Sequence, residues 1–310
     1  MNKMGRAILY HSSHVEVYTP IRLEETNGFI KIGPSPSHVY NGLLGDPDVQ
    51  PTITGGTWYP SPYKKGDEQS VVLHFHGGAY VTAEGRPSDI EFEASVLVKN
   101  LKVKAFFPSY RLASNDHCHF PAALQDAVTA YRYLLDQGIS SNRIVLSGDS
   151  AGAGLVVSLL RYIGSTEAQL PDPLAALLFS PWLDLKSALD PAYVTRNRHY
   201  ETDYVPANFT SWGARTYIPA HMDVNNPHFS PLDHAFPTPT PLWIQVGGLE
   251  ILYDEGVRFA DVMKKKGNRV EIHVEPLANH DLLYVGHLTG FAAEAENAVR
   301  LAGEFLSTIR

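Results

Sequence analysis

The chain has one cysteine, Cys118, in 310 residues, so no intrachain disulfide can form and the fold must rest on packing, as suits a reducing compartment. It also lacks a hydrophobic segment of signal-peptide type, because residues 1–20 interleave Arg6, His11, His14 and Glu16 with apolar positions. A cytoplasmic protein without a membrane span is therefore expected. With a net charge of -8, no run of lysines and arginines makes a face for tracking phosphates, which removes nucleic acid from the expected partners. Charged residues make up only 19% of the chain and hydrophobic ones 44%, which excludes a disordered chain and leaves ample material for a core. No internal repeat or low-complexity tract stands out.

From Val71 onward, short apolar runs alternate with stretches of helical spacing. Val71 to Phe75, Val103 to Phe107, Ile144 to Leu146, Leu174 to Phe179, Leu242 to Val246 and Val270 to Val274 read as strands, most of them nearly continuously apolar, as strands buried on both faces are. Residues 88–100, Pro121 to Leu135, the stretch after Ser150, Gly256 to Lys266 and a closing segment from Leu288 to Ile309 read as helices. Strand and helix in alternation predict an α/β fold with a doubly wound, mostly parallel sheet, whose ligands bind at the carboxyl ends of the strands.

Two stretches break this rhythm. Residues 1 to about 65, rich in Pro, Gly, His and Tyr, show little periodicity beyond a short helix near Ile21 to Glu25, and read as an arm over the core. Between Ser180 and Pro241, Trp182, Tyr193, Tyr200, Tyr204, Phe209, Trp212 and Tyr217 make a segment too long for a simple crossover and too aromatic for a linker. It reads as a helical cap. The expected division is an arm over 1–65 that contributes to the cap, a core over 66–181 and 240–310, and a cap insertion over 182–239.

The most informative stretch is Gly148-Asp149-Ser150-Ala151-Gly152, which follows an apolar run and opens into Leu155-Val156-Val157-Ser158-Leu159-Leu160. A serine on such a strand-turn-helix elbow is strained and outward-facing, and the helix N-terminus beneath it favours negative charge. A serine hydroxyl is a weak nucleophile at neutral pH, so Ser150 needs a base and an acid that orients the base. On this kind of sheet these follow in the order acid, then histidine. His280 stands in Leu277-Ala278-Asn279-His280-Asp281, after the last strand, and is the expected base. With an ordinary imidazole pKa of about 6.5, activity should fall as it protonates near pH 6 to 7. The loop after Val246 carries Glu250, Asp254 and Glu255. Glu250 is closest to the strand end and is the first choice as acid, with Asp254 as the alternative.

The transition state places negative charge on the former carbonyl oxygen, so main-chain N–H groups must already point at it. His76-Gly77-Gly78-Ala79, directly after a strand, suits that task, and the N–H groups of Gly78, Ala79 and Ala151 are the expected donors. Gly77 and His76 would support this loop, and Asp149 is expected to hydrogen-bond nearby backbone. His74-x-His76 and His117-x-His119 superficially invite a metal. Shaping of the oxyanion loop by His76 is the more economical reading, and no metal is expected.

His76-Gly77-Gly78-Ala79, the Gly148 to Gly152 elbow, and the late Glu250 and His280 together resemble the hormone-sensitive-lipase-like branch of the α/β-hydrolases. Tyr110-Arg111-Leu112-Ala113, Phe120 to Asp126, Ser180-Pro181-Trp182-Leu183-Asp184-Leu185 and Ser230-Pro231-Leu232 are similar to segments of the same family, which extends the resemblance from about residue 70 to the C-terminus. The chain departs from the family in its HGGA, where HGGG is usual, and in Glu250, where many members have Asp. The resemblance implies an α/β-hydrolase fold and a serine carboxylesterase acting on small to medium acyl esters through an acyl-enzyme, with no cofactor. An amidase or deacetylase of small metabolites would use the same residues. A non-catalytic small-molecule receptor of this fold would have no need of His280. The sequence leaves open whether the chain acts alone or as a homodimer.

Overall fold

The computed structural model describes residues 28–83, 85, 87–165 and 168–309; the helix expected near Ile21 to Glu25 lies outside them. Eight strands form one sheet: β1 (Phe29–Ile32), β2 (Thr54–Tyr59), β3 (Val71–Phe75), β4 (Lys104–Ser109), β5 (Ile144–Asp149), β6 (Ala175–Phe179), β7 (Leu242–Gly247) and β8 (Val270–Glu275). Their spatial order is β1-β2-β4-β3-β5-β6-β7-β8, antiparallel at β1, β2 and β4 and parallel from β4 to β8. The parallel part is the doubly wound sheet that the sequence predicts. The antiparallel edge was not legible, because β1 and β2 come from the stretch read as an arm, and Gly55-Gly56 leave β2 without an alternating apolar pattern.

The alternation of side chains along each strand sorts the core into two layers. Leu73, Leu146, Leu178 and Ile244 face one side, beneath α2 (Ala122–Asp136), α3 (Ser150–Ile163) and α7 (Tyr253–Lys265). Their neighbours Val72, Val145, Leu177 and Trp243 face the other, beneath α1 (Pro87–Leu101), α8 (Leu282–Thr289) and α9 (Ala292–Ser307). α3 runs through the middle and is buried all round except at Arg161, which explains why its sequence is apolar without a polar stripe.

The closing helix expected over Leu288 to Ile309 begins four residues later, as α9, and a further helix that the sequence reading did not give, α8, precedes it. Gly290, at φ +88° and with its N–H on the Gly286 carbonyl, ends α8 in a left-handed turn before α9 begins. α8 starts at Asp281, whose side chain accepts the Tyr284 N–H. Between β6 and β7 lie α4 (Leu185–Ala188), α5 (Pro191–Thr195) and α6 (Ala207–Tyr217). Asp184 and Asp190 cap the first two with side-chain oxygens. No helix among the described residues is long and apolar enough to cross a membrane.

Candidate active site

The carboxyl ends of β3, β5, β6, β7 and β8 converge on one place. Ser150 takes φ +49°, in the left-handed region, and tops the elbow between β5 and α3. The elbow is tight: a Cβ on Gly152 would lie 1.9 Å from the Phe75 carbonyl oxygen at the end of β3, so only glycine lets helix and strand approach this closely.

His280, in the loop between β8 and α8, has Nε2 2.9 Å from Ser150 Oγ. Its Nδ1 is 3.4 Å from Glu250 Oε2, and Glu250 is fully buried in the turn after β7. No hydrogen-bond partner lies on either Glu250 oxygen among the described residues, so the imidazole is the group this carboxylate serves. Contacts of this kind are commonly long before substrate binds. Asp254 stands elsewhere: its side chain is 61% exposed and pairs with Arg198 at 2.7 Å. Burial pushes the His280 imidazole down, but Glu250, Asp203 and Asp149 together push it above its ordinary value.

His76 is buried and its ring stacks on Tyr110 with centroids 4.3 Å apart. His76 Nδ1 reaches the Gly77 carbonyl at 2.7 Å, and the Tyr110 hydroxyl donates to the His76 carbonyl at 2.7 Å. These bonds shape the loop through Gly78 and Ala79, both at positive φ, whose N–H groups meet no backbone acceptor among the described residues. A Cβ on Gly77 would lie 3.1 Å from Ser150 Cβ, which puts this loop against the elbow. Ala151 follows Ser150 in the first turn of α3, where N–H groups lack helical partners.

Asp149 corrects the sequence reading. Its side chain does not cap α3 and bonds instead to His74, Oδ1 to Nε2 at 3.1 Å, with Glu93 Oε2 3.4 Å from the same nitrogen. Burial and the nearby Asp149 charge push the neighbouring Asp281 carboxyl well above the usual carboxylate range. Burial opposes a charge on His74, but Asp149 and Glu93 raise it to about 9. His74, Glu93 and Asp149 place ligand atoms within 4.8 Å of one another; an imidazolium between the two carboxyls already supplies the positive charge that this arrangement calls for. His76 lies outside this group. His117 is exposed on a turn, and His119 Nδ1 bonds the Phe120 carbonyl.

The sequence reading missed Glu93, Asp203 and Asp281. Glu93 had a signal: it shares the face of α1 with Ile90, Ala94 and Leu97, where a carboxylate on an apolar stripe needs a buried partner. Asp203 and Asp281 lie in irregular segments and had none.

The sequence profile of a family described as alpha/beta hydrolase fold matches residues 72–284. The chain is 34% identical over 239 residues to an acetyl-hydrolase of Streptomyces hygroscopicus, covering 77% of this chain and 75% of that one. It is 28% identical to an ethyl acetate hydrolase of Pseudomonas putida, covering 73% and 70% of the two chains. Among solved structures, an esterase from the bacterial hormone-sensitive lipase family superposes with a TM-score of 0.69 at 27% identity, over 92% of this chain and 86% of that chain.

Proposed function

The chain belongs to the hormone-sensitive-lipase-like branch of the α/β-hydrolase family and is a carboxylic ester hydrolase; on that premise we propose that Ser150 is its nucleophile, His280 its general base and acid, and Glu250 the carboxylate that orients His280. The observation that carries this reading is the 2.9 Å contact between Ser150 Oγ and His280 Nε2, with Glu250 on the far side of the same ring.

In the neutral imidazole, a proton on Nδ1 facing Glu250 leaves the Nε2 lone pair free to accept the Ser150 proton. Ser150 Oγ then attacks the ester carbonyl, and the oxyanion is met by the N–H groups of Gly78, Ala79 and Ala151. The imidazolium gives its proton to the departing alcohol, leaving an acyl-Ser150. Water, deprotonated by His280, attacks the acyl carbon; the imidazolium then returns a proton to Ser150 Oγ as the acid is released.

Insertion 182–239 is read as the cap, and Tyr204, with its ring centroid 6.0 Å from that of His280, is the insertion aromatic nearest this base. The names of the two relatives, acetyl-hydrolase and ethyl acetate hydrolase, support short to medium acyl esters as substrates. The test is hydrolysis of p-nitrophenyl esters from acetate to decanoate, with an anilide as amide control. Turnover that is highest on short esters and vanishes in Ser150→Ala, with thermal unfolding unchanged, is expected. Retained activity in that variant would remove Ser150 as the nucleophile, and faster turnover of the anilide than of the esters would move the reading to an amidase.

A further inference from the structure

Residues 197–204 of the insertion reach across the loop that carries Glu250. Asn197 Nδ2 donates to the Ile251 carbonyl at 2.7 Å, and Thr202 Oγ1 donates to the Leu249 carbonyl at 2.9 Å, so the backbone is held on both sides of Glu250. Asp203 goes further. Its Oδ2 accepts the Ile251 N–H at 2.7 Å, and its Oδ1 accepts the N–H of Tyr204 at 2.7 Å and that of His280 at 3.3 Å. Asp203 is 5% exposed, so these bonds are shielded from water and their charge is weakly screened. One side chain from the insertion thus joins the residue after the acid to the base itself, although acid and base follow different strands.

We propose that Asp203 is a positioning residue for the triad, fixing the separation of the Glu250 loop and His280 through the main-chain N–H groups of Ile251 and His280 and placing a second negative charge beside the imidazolium. The proposal rests on the triad reading above. A peptide N–H bonded to a buried carboxylate is a strong, directional contact. The gap from Glu250 to His280 is already long, so small movements of either loop translate directly into lost alignment. The charged or titratable groups that face His280 are Glu250 after β7, Asp203 and the Tyr204 ring from the insertion, and Asp149 at the end of β5; the carboxyl of Asp281 beside it is pushed well above the usual carboxylate range by burial and Asp149. Burial, with Glu250 acting in the same direction, leaves the Asp203 carboxyl above its ordinary value against the opposing pull of His280 and the N–H donors of Ile251 and Tyr204. Removing this charge leaves His280 with one fewer anion nearby.

The test is steady-state hydrolysis of p-nitrophenyl butyrate across pH by the full chain, comparing wild type, Asp203→Asn, Asp203→Ala and Ser150→Ala. Asparagine still offers an amide oxygen to the N–H groups but has no charge. The acid limb of kcat/KM is expected to move to lower pH, with kcat reduced up to about tenfold and KM nearly unchanged. Alanine loses both contributions, and a kcat loss of about 100-fold is expected, again with little change in KM. An acid limb that does not move in Asp203→Asn overturns the proposal whatever the alanine variant does, and so the question remains decided if Asp203→Ala fails to fold. In a folded Asp203→Ala, kcat within twofold of wild type also overturns it. An active Ser150→Ala overturns the triad reading instead, which separates the two failures.

Discussion

Replacing Glu250 by Gln separates the two carboxylates that the sequence offered as orienting acid. Glu250 is buried with Oε2 3.4 Å from His280 Nδ1, while Asp254 is 61% exposed and paired with Arg198. Glutamine keeps the volume but cannot stabilise the imidazolium, and it can equally present its amide N–H groups to Nδ1, which selects the tautomer whose Nε2 cannot accept the Ser150 proton. In a Ser-His-Asp protease the equivalent amide substitution lowers kcat by about 10^4. The contact here is longer than a hydrogen bond, so part of that advantage is not engaged before substrate binds; a loss of about 10^3, or roughly 4 kcal/mol of transition-state stabilisation, is expected. Asp254→Asn removes only an exposed ion pair, worth about 0–1 kcal/mol of stability, and should leave kcat within about twofold.

The assay is kcat on p-nitrophenyl acetate, with circular dichroism and thermal melting to show that both variants fold. A second readout is built in. Although burial lowers the His280 imidazole, Glu250 is the strongest of the groups that raise it, so the acid limb of Glu250→Gln should fall to lower pH. Activity of Glu250→Gln within fivefold of wild type, or a larger loss in Asp254→Asn, would refute the assignment.

Wild-type activity should rise with pH along a limb centred above 6.5, because carboxylates hold the proton on His280 and catalysis needs it gone; a limb at or below 6.5 would show that burial wins. The His74 cation predicts a stability effect of definite sign. With its folded value raised to about 9 from 6.5, its contribution of about 3 kcal/mol is complete below pH 6.5 and lost as pH rises through 9. Glu93, raised to about 7 mainly by burial, acts in the same direction. Urea unfolding should therefore show stability falling across this window, and a flat profile would exclude a charged His74. Gly213 of α6 sits on the oxyanion loop, where a Cβ would lie 2.5 Å from the Ala79 carbonyl oxygen and 2.8 Å from Ala79 Cβ. Gly213→Ala should cost about 1–3 kcal/mol of stability and lower kcat about tenfold by shifting the loop; unchanged kcat would show that α6 moves instead.

Legibility followed periodicity and local motif. β3 to β7 were readable because strands buried on both faces are apolar nearly throughout, β8 at the sheet edge because its apolar and polar residues alternate, and the elbow because Gly148 and Gly152 flank a serine between a strand and a helix. Most of what escaped depended on contacts distant in sequence. β2 pairs Gly55 and Gly56 with Ser109 and Pro108 across the sheet, and no local pattern announces it. α8 escaped because Leu282 to Thr289 is apolar nearly throughout and shows no polar stripe to mark a helix. His280, Ser150 and Glu250 were nameable from their places after strands, whereas the partner of Asp149 was not. That partner, His74, sits on another strand and is recognisable only once β3 lies beside β5.

The carboxyl groups around Ser150 divide by environment into two kinds. Asp149 is held below the usual carboxylate range despite complete burial, chiefly by its bond to His74, while burial and the Asp149 charge push Asp281 well above that range. The consequence is spatial as well as electrostatic. Behind the nucleophile, Asp149 ties β5 to His74 at the root of the oxyanion loop, and beside the base the Asp281 N–H is held by Ser180 Oγ at 3.0 Å. In front, Asp203 ties the His280 N–H to the loop of Glu250. The backbone of the His280 loop is thus held by Asp203 on one side and by Ser180 on the other, neither of them bonded to the ring. This leaves the imidazole, whose two nitrogens face only Ser150 and Glu250, as the part of the loop that can exchange protons without the surrounding backbone having to move.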